Sequence, residues 1–112
     1  MLSKLHRLTR NKDFQKVFKR GRSIYPHQDF LYVKFLKNNL PGSRFGFVVS
    51  NKVSNKASKR SKVKRLLREV VKRELIKIKP GFDIVIITRK GIEEKSFKDI
   101  LLVIRPVLQE IK

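Results

Sequence analysis

The stretch KASKRSKVKRLLREVVKREL, residues 56–75, carries nine Lys or Arg against two Glu, yet its apolar residues keep helical spacing. At about 100° per residue, Val63, Leu66, Leu67, Val70 and Val71 form one stripe with Leu75 at its margin, which gives the helix a face to bury. Lys64, Arg65, Arg68 and Lys72 then fall on one flank, and Lys62, Glu69 and Arg73 on the other. Glu69 stands four residues from Arg65 and Arg73 and is poorly placed to neutralise Lys64 and Arg68. Lys59, Arg60 and Lys62 crowd the first turn, where the positive end of the helix dipole disfavours each cation by roughly 0.3–1 kcal/mol. An ordinary solvated face would explain a basic helix on its own. Cations at the unfavourable end of the dipole, beside unpaired backbone N–H groups and Ser58, point instead to phosphate binding. Lys52 and Lys56 in the preceding SNKVSNKAS continue the same surface.

A second constellation is aromatic. Phe14 and Phe18 lie four apart, and Phe30, Tyr32 and Lys34 share one face of an extended run. A cleft between them would stack unpaired bases at about 1–3 kcal/mol per base. Stripes at these spacings are more often core, so the pattern alone favours burial. Tyr32 is the better exposed candidate, because Lys34 in line with it brings that face to water while Leu31, Val33 and Phe35 turn inward. Catalytic chemistry has little to work with. His6 and His27 are the two histidines, there is no Cys, and neither His has metal-ligand spacing. Glu93 and Glu94 precede Ser96 and are expected to serve a helix dipole rather than a metal. The sequence therefore predicts no catalytic residue, no metal ligand and no nucleotide-binding glycine loop.

The elements that must position these groups follow from periodicity. Asn11 is expected to cap a short helix through Phe14, Val17 and Phe18 that ends at Gly21. FLYVKFLK (30–37) and RFGFVVS (44–50) read as strands joined by the loop 38–43 into a hairpin, with a short edge strand within Ser23 to Asp29. Phe82 to Thr88, nearly all apolar, reads as a strand covered on both faces. Ser96 is expected to cap a last helix with Phe97, Ile100, Leu101 and Ile104 inward, which Pro106 should kink or end near Arg105. The fold class is α+β, with about four strands in a central mixed sheet and three helices. A chain of 112 residues with 40% apolar content fits one domain, residues 1–112. Its net charge of +20 is spread from Lys4 to Lys112, a self-repulsion that a polyanionic partner relieves. With no Cys, no secretory core in MLSKLHRLTR and no apolar stretch near the 20 residues of a membrane span, it reads as a cytoplasmic protein.

These segments resemble, in order, the protein subunit of bacterial ribonuclease P. LTRNKDFQKVFKRGRS is similar to its first helix, FGFVVSNKVSNKAS to its third strand and following loop, and KRSKVKRLLRE to its arginine-rich signature helix. The signature usually reads Arg-Asn-Arg before a Lys-Arg pair and a further Arg. Arg60, Lys64, Arg65 and Arg68 match it, whereas Ser61 replaces the Asn and Lys62 the second Arg, keeping charge without the planar fork. The resemblance implies a left-handed crossover between parallel strands and no cofactor in the protein. It implies an assembly in which a catalytic RNA with bound Mg2+ removes the 5′ leader of precursor tRNA, the protein being the non-catalytic subunit. It also implies that Lys52, Asn55, Arg60, Lys62, Lys64, Arg65 and Arg68 meet the catalytic RNA, and that Phe14, Phe18, Tyr32 and Lys34 line the cleft for the leader. The alternative is a structural RNA-binding protein such as a ribosomal protein, equally basic and small.

Overall fold

The computed structural model describes residues 4–111; Met1 to Ser3 and Lys112, which the charge count includes, lie outside them. The order is α1 (Asn11–Arg20), β1 (Arg22–Ile24), β2 (Leu31–Lys37), β3 (Arg44–Val48), α2 (Ala57–Glu74), β4 (Phe82–Thr88) and α3 (Phe97–Glu110). Single 3-10 turns cover Lys4–His6, Leu75–Lys77 and Ile92–Glu94.

The apolar run of β4 decides the topology. Ile84 and Ile86 face one core cluster and Val85 another, all fully buried, so the strand needs a neighbour on each edge and cover on each face. The sheet order is β1-β2-β4-β3, with β2 antiparallel and β3 parallel to β4. The expected hairpin is therefore absent: β4 lies between the two strands that the short loop seemed to join. That loop is held by β4 itself, where Asn38 N–H donates to the Gly81 carbonyl at 2.8 Å and Asn38 Nδ2 to Asp83 Oδ1 at 2.9 Å. The parallel β3–β4 pair is connected through α2. The third strand stops at Val48, short of the expected Ser50, and the edge strand is β1, pairing Arg22 with Phe35 and Ile24 with Val33.

One face of the sheet is closed. Leu31, Val33, Phe35, Ile84 and Ile86 pack there against α2 through Val63, Leu67, Val70 and Val71, and against α3 through Ile100, Ile104 and Val107. Glu74 is buried and accepts a 2.6 Å hydrogen bond from Arg105 Nε, joining the two helices. Ser96 does cap α3, in a capping box with Asp99, while Glu93 turns away to accept from the Gly91 N–H. Pro106 does not end α3, which runs on to Glu110. An interior proline costs about 3 kcal/mol, but burial of Val107 and Leu108 beyond it returns about 1.5–3 kcal/mol each.

The other face is covered by α1, with Leu8 of the segment before it. Its N-cap is Arg10, without a side-chain cap bond, so Asn11 is the first helical residue rather than the cap. Asp13 is instead paired to Arg44 of β3 at 3.5 Å, and Arg44 bonds Asp83 of β4 at 2.7 Å. The helix is thereby tied to two strands. Gly21 caps its end in extended conformation, and a Cβ there would collide with the Val17 and Phe35 carbonyls.

Candidate nucleic-acid interface

Only Val17 of α1 is fully buried; Phe14 and Phe18 stay half-buried, with Leu36, Val48 and Ile87 beneath the helix. The two rings stand 6.5 Å apart and tilted. Tyr32 and Lys34 do point to this face, as expected from alternation. Lys34 Nζ donates to the Phe18 carbonyl at 3.1 Å and sits 5.9 Å from the Phe18 ring, a cation near the negative end of α1. Phe30 does not join them. It lies in the turn before β2, where its carbonyl accepts from Arg89 N–H at 2.8 Å, and its ring is buried in the closed face near Lys95.

Tyr32 has two partners that the sequence reading missed. The Tyr25 ring stacks on it at 5.1 Å, and the Arg89 guanidinium lies 4.8 Å from its centre. Tyr25 is 63% exposed, so the stack reaches solvent. Arg89 could be anticipated only through the pairing of Tyr32 with Ile87, two residues before it, and that pairing depends on the strand order.

The basic flank and the aromatic face, read separately in the sequence, meet at the β3 edge. Lys64 and Arg68 of α2, both half-buried, line one cleft of about 220 Å3 together with Phe14 and Gly46. Gly46 makes this possible, since a Cβ there would overlap the Phe14 ring. Lys62 and Arg65 are exposed on α2, as are Lys52 and Asn55 in the loop that Val53 anchors into the core. Arg60 folds back, its Nη1 donating to the Ser54 carbonyl at 2.9 Å, which fixes the loop against the first turn. No side chain caps α2 and no acid lies in its first turn, so that end keeps the anion-attracting character read from the sequence.

The surface can bind phosphates and stack bases. Among the described residues no cluster of three His, Cys, Asp or Glu could hold a metal, and no helix is long and apolar enough to cross a membrane. His6 is occupied structurally, its Nδ1 donating to the Ser43 carbonyl at 2.8 Å, and His27 is exposed. The hydrogen bond to Asp83 is the largest influence on Arg44 and raises its pKa, against the opposing effect of burial, so the clamp on α1 stays charged.

Known proteins carry the same pattern. The family model described as Ribonuclease P matches residues 2–112. The Ribonuclease P protein component of Clostridioides difficile (strain 630) is 43% identical over 94 residues, 83% of this chain and 80% of that relative. That of Alkaliphilus metalliredigens is 36% identical over 107 residues, covering 96% and 94%. The solved RNase P protein from Thermotoga maritima in complex with 1-(4-fluorophenyl)-2-thiourea superposes with a TM-score of 0.85 at 37% identity, covering 95% of this chain and 100% of that one. The Staphylococcus aureus RNase P protein gives 0.81 at 30% identity, covering 93% of each chain. A four-stranded mixed sheet with three helices, a basic helix beside an aromatic cleft, and these likenesses along almost the whole chain lead to one assignment: the chain belongs to the Ribonuclease P protein family, the protein component of a ribonucleoprotein endoribonuclease.

Proposed function

We propose that residues 1–112 act as one RNA-binding domain with two working surfaces. The exposed side of α2 and its loop, through Lys52, Asn55, Arg60, Lys62, Lys64, Arg65 and Arg68, holds the catalytic RNA. The cleft between α1 and the sheet, through Phe14, Phe18, Tyr32 and Lys34, takes the single-stranded 5′ leader of precursor tRNA. The observation that carries this reading is the meeting of Lys64 and Arg68 with Phe14 in one cleft, which lets a strand pass from cations to rings without leaving the protein. Stacking and backbone contact need little sequence readout, which suits a subunit serving many different leaders. The Mg2+ of the holoenzyme acts with the catalytic RNA, which supplies the hydrolytic chemistry. What the protein supplies is positioning and charge neutralisation, in the cytoplasm where precursor tRNA is processed. Family membership displaces the ribosomal alternative.

The test adds the chain to bacterial ribonuclease P RNA at low magnesium and follows precursor cleavage. Restored cleavage, with tighter binding of precursor than of mature tRNA, is the expected result. Rescue without any preference for the precursor would remove the leader cleft from the reading, and no rescue would remove the whole of it.

A further inference from the structure

Arg7 Nε is the one buried side-chain nitrogen or oxygen among the described residues that has no hydrogen-bond partner. The residue is not loosely placed. Its backbone bridges to Phe45 on the β3 edge, and the next residue's N–H donates to the Phe45 carbonyl at 2.8 Å. Arg7 lines the same 220 Å3 cleft as Lys64 and Arg68, with exposed Thr9 at its rim and the Phe14 ring over Gly46. No acid lines this cleft. Three cations from two separate elements thus face one small space, and one of them keeps a desolvated N–H unused. Same-sign charges held together without a counter-charge repel, and a buried donor without an acceptor is unfavourable, so both features call for an anion.

We propose that Arg7, with Lys64 and Arg68 opposite, clamps a single phosphodiester in this cleft, with the adjoining nucleotide lying against Phe14. Arg7 is the anchor because a guanidinium presents Nε–H and Nη–H side by side to two phosphate oxygens, which Lys cannot do. The cleft is a defined subsite within the interface proposed above and rests on that reading. The phosphodiester has two sources, the precursor leader or the catalytic RNA, and the chemistry of recognition is the same for both.

The experiment uses the full chain with bacterial ribonuclease P RNA, precursor tRNA and mature tRNA, comparing unmodified protein with Arg7→Ala and Arg7→Lys. Arg7→Ala should lose about tenfold in affinity, the order expected for a charge-assisted contact. Arg7→Lys should keep the salt dependence while recovering only part of the affinity. A loss confined to precursor tRNA assigns the phosphate to the leader, and a loss in binding the catalytic RNA assigns it there. Neutral methylphosphonate linkages, placed one at a time, should reveal a single sensitive position whose effect disappears in the Arg7 variants. The scan on unmodified protein stands even if Arg7→Ala does not fold, with Arg7→Lys then the comparison. Unchanged affinity for both RNAs in a folded Arg7→Ala, or a sensitive linkage indifferent to Arg7→Lys, overturns the clamp. If that happens while the unmodified chain still rescues cleavage, only the subsite falls; if rescue itself fails, the underlying reading falls first.

Discussion

The two faces of the sheet are built from the same strands and do opposite things. On β2, Leu31, Val33 and Phe35 go to the closed face and are buried, while Tyr32, Lys34 and Leu36 go to the open one and are not fully covered. Two helices of 18 and 14 residues close the first; a single helix of 10 residues, about 15 Å long, partly covers the second. On the proposed reading, the incomplete cover of the open face is what serves binding. Stability is concentrated where α2 and α3 meet the sheet, which leaves the rings of the open face available for a ligand.

The largest effect should come from breaking the closed face. Leu67→Ala empties a fully buried position on α2 and should destabilise by about 2–5 kcal/mol, lowering the melting temperature by about 10 °C or more. Below that temperature its preference for precursor over mature tRNA should match the unmodified chain's, as measured by titration of the holoenzyme. A changed preference in the folded variant would mean the faces are not separable.

Tyr32→Ala should do the reverse. The stack of Tyr25, Tyr32 and Arg89 lies at the surface, so melting should move little. Loss of one stacked base is worth about 1–3 kcal/mol, which is roughly fivefold to more than a hundredfold in precursor affinity. Mature tRNA, lacking the leader, should bind as before; equal losses for both would take Tyr32 out of the leader path.

How much of this was legible follows from the range of the interactions involved. Local periodicity marked all three helices, the runs of β2, β3 and β4, and the cap at Ser96, because these depend on residues within a turn or two. Strand order was not legible: β3 takes its partners 39 residues further on, across α2, and a short loop between β2 and β3 imitates a hairpin. Glu74 was hidden within a charged helix, and only the arrival of Arg105 explains its burial. Pro106 misled because local cost was visible and the burial that offsets it was not. Within the candidate site, alternation identified Tyr32 and Lys34 but failed at Phe30, where the strand has not yet begun. Arg7 gave no signal, since its placement comes from an isolated bridge to Phe45.

Arg68→Ala sharpens the boundary between the faces, because this residue sits on a closed-face helix yet reaches the open cleft. Its stability effect should be small, and its RNA binding should flatten with salt by about 0.7–0.9 in log–log slope, one phosphate contact. An unchanged slope would place the contact surface elsewhere on α2.

The smallest effect is expected at the start of α3, which holds none of the proposed RNA contacts. Asp99 accepts from the Ser96 N–H, and this hydrogen bond, with help from the Ser96 hydroxyl, holds its carboxyl below the usual carboxylate range. A carboxylate held low in the folded state binds its proton more weakly there than in the unfolded chain. Its contribution is therefore complete above the ordinary value near pH 4 and fades as pH falls through the lower folded value. Asp99→Asn removes this dependence, so the melting curves of the two proteins should be separated slightly at neutral pH and converge in acid. Because Asp99 is exposed, the separation should be slight, and RNA affinity should not move at all. Curves that stay parallel from neutral pH down to pH 2 would show that the capping box is held by something other than the ionised carboxylate.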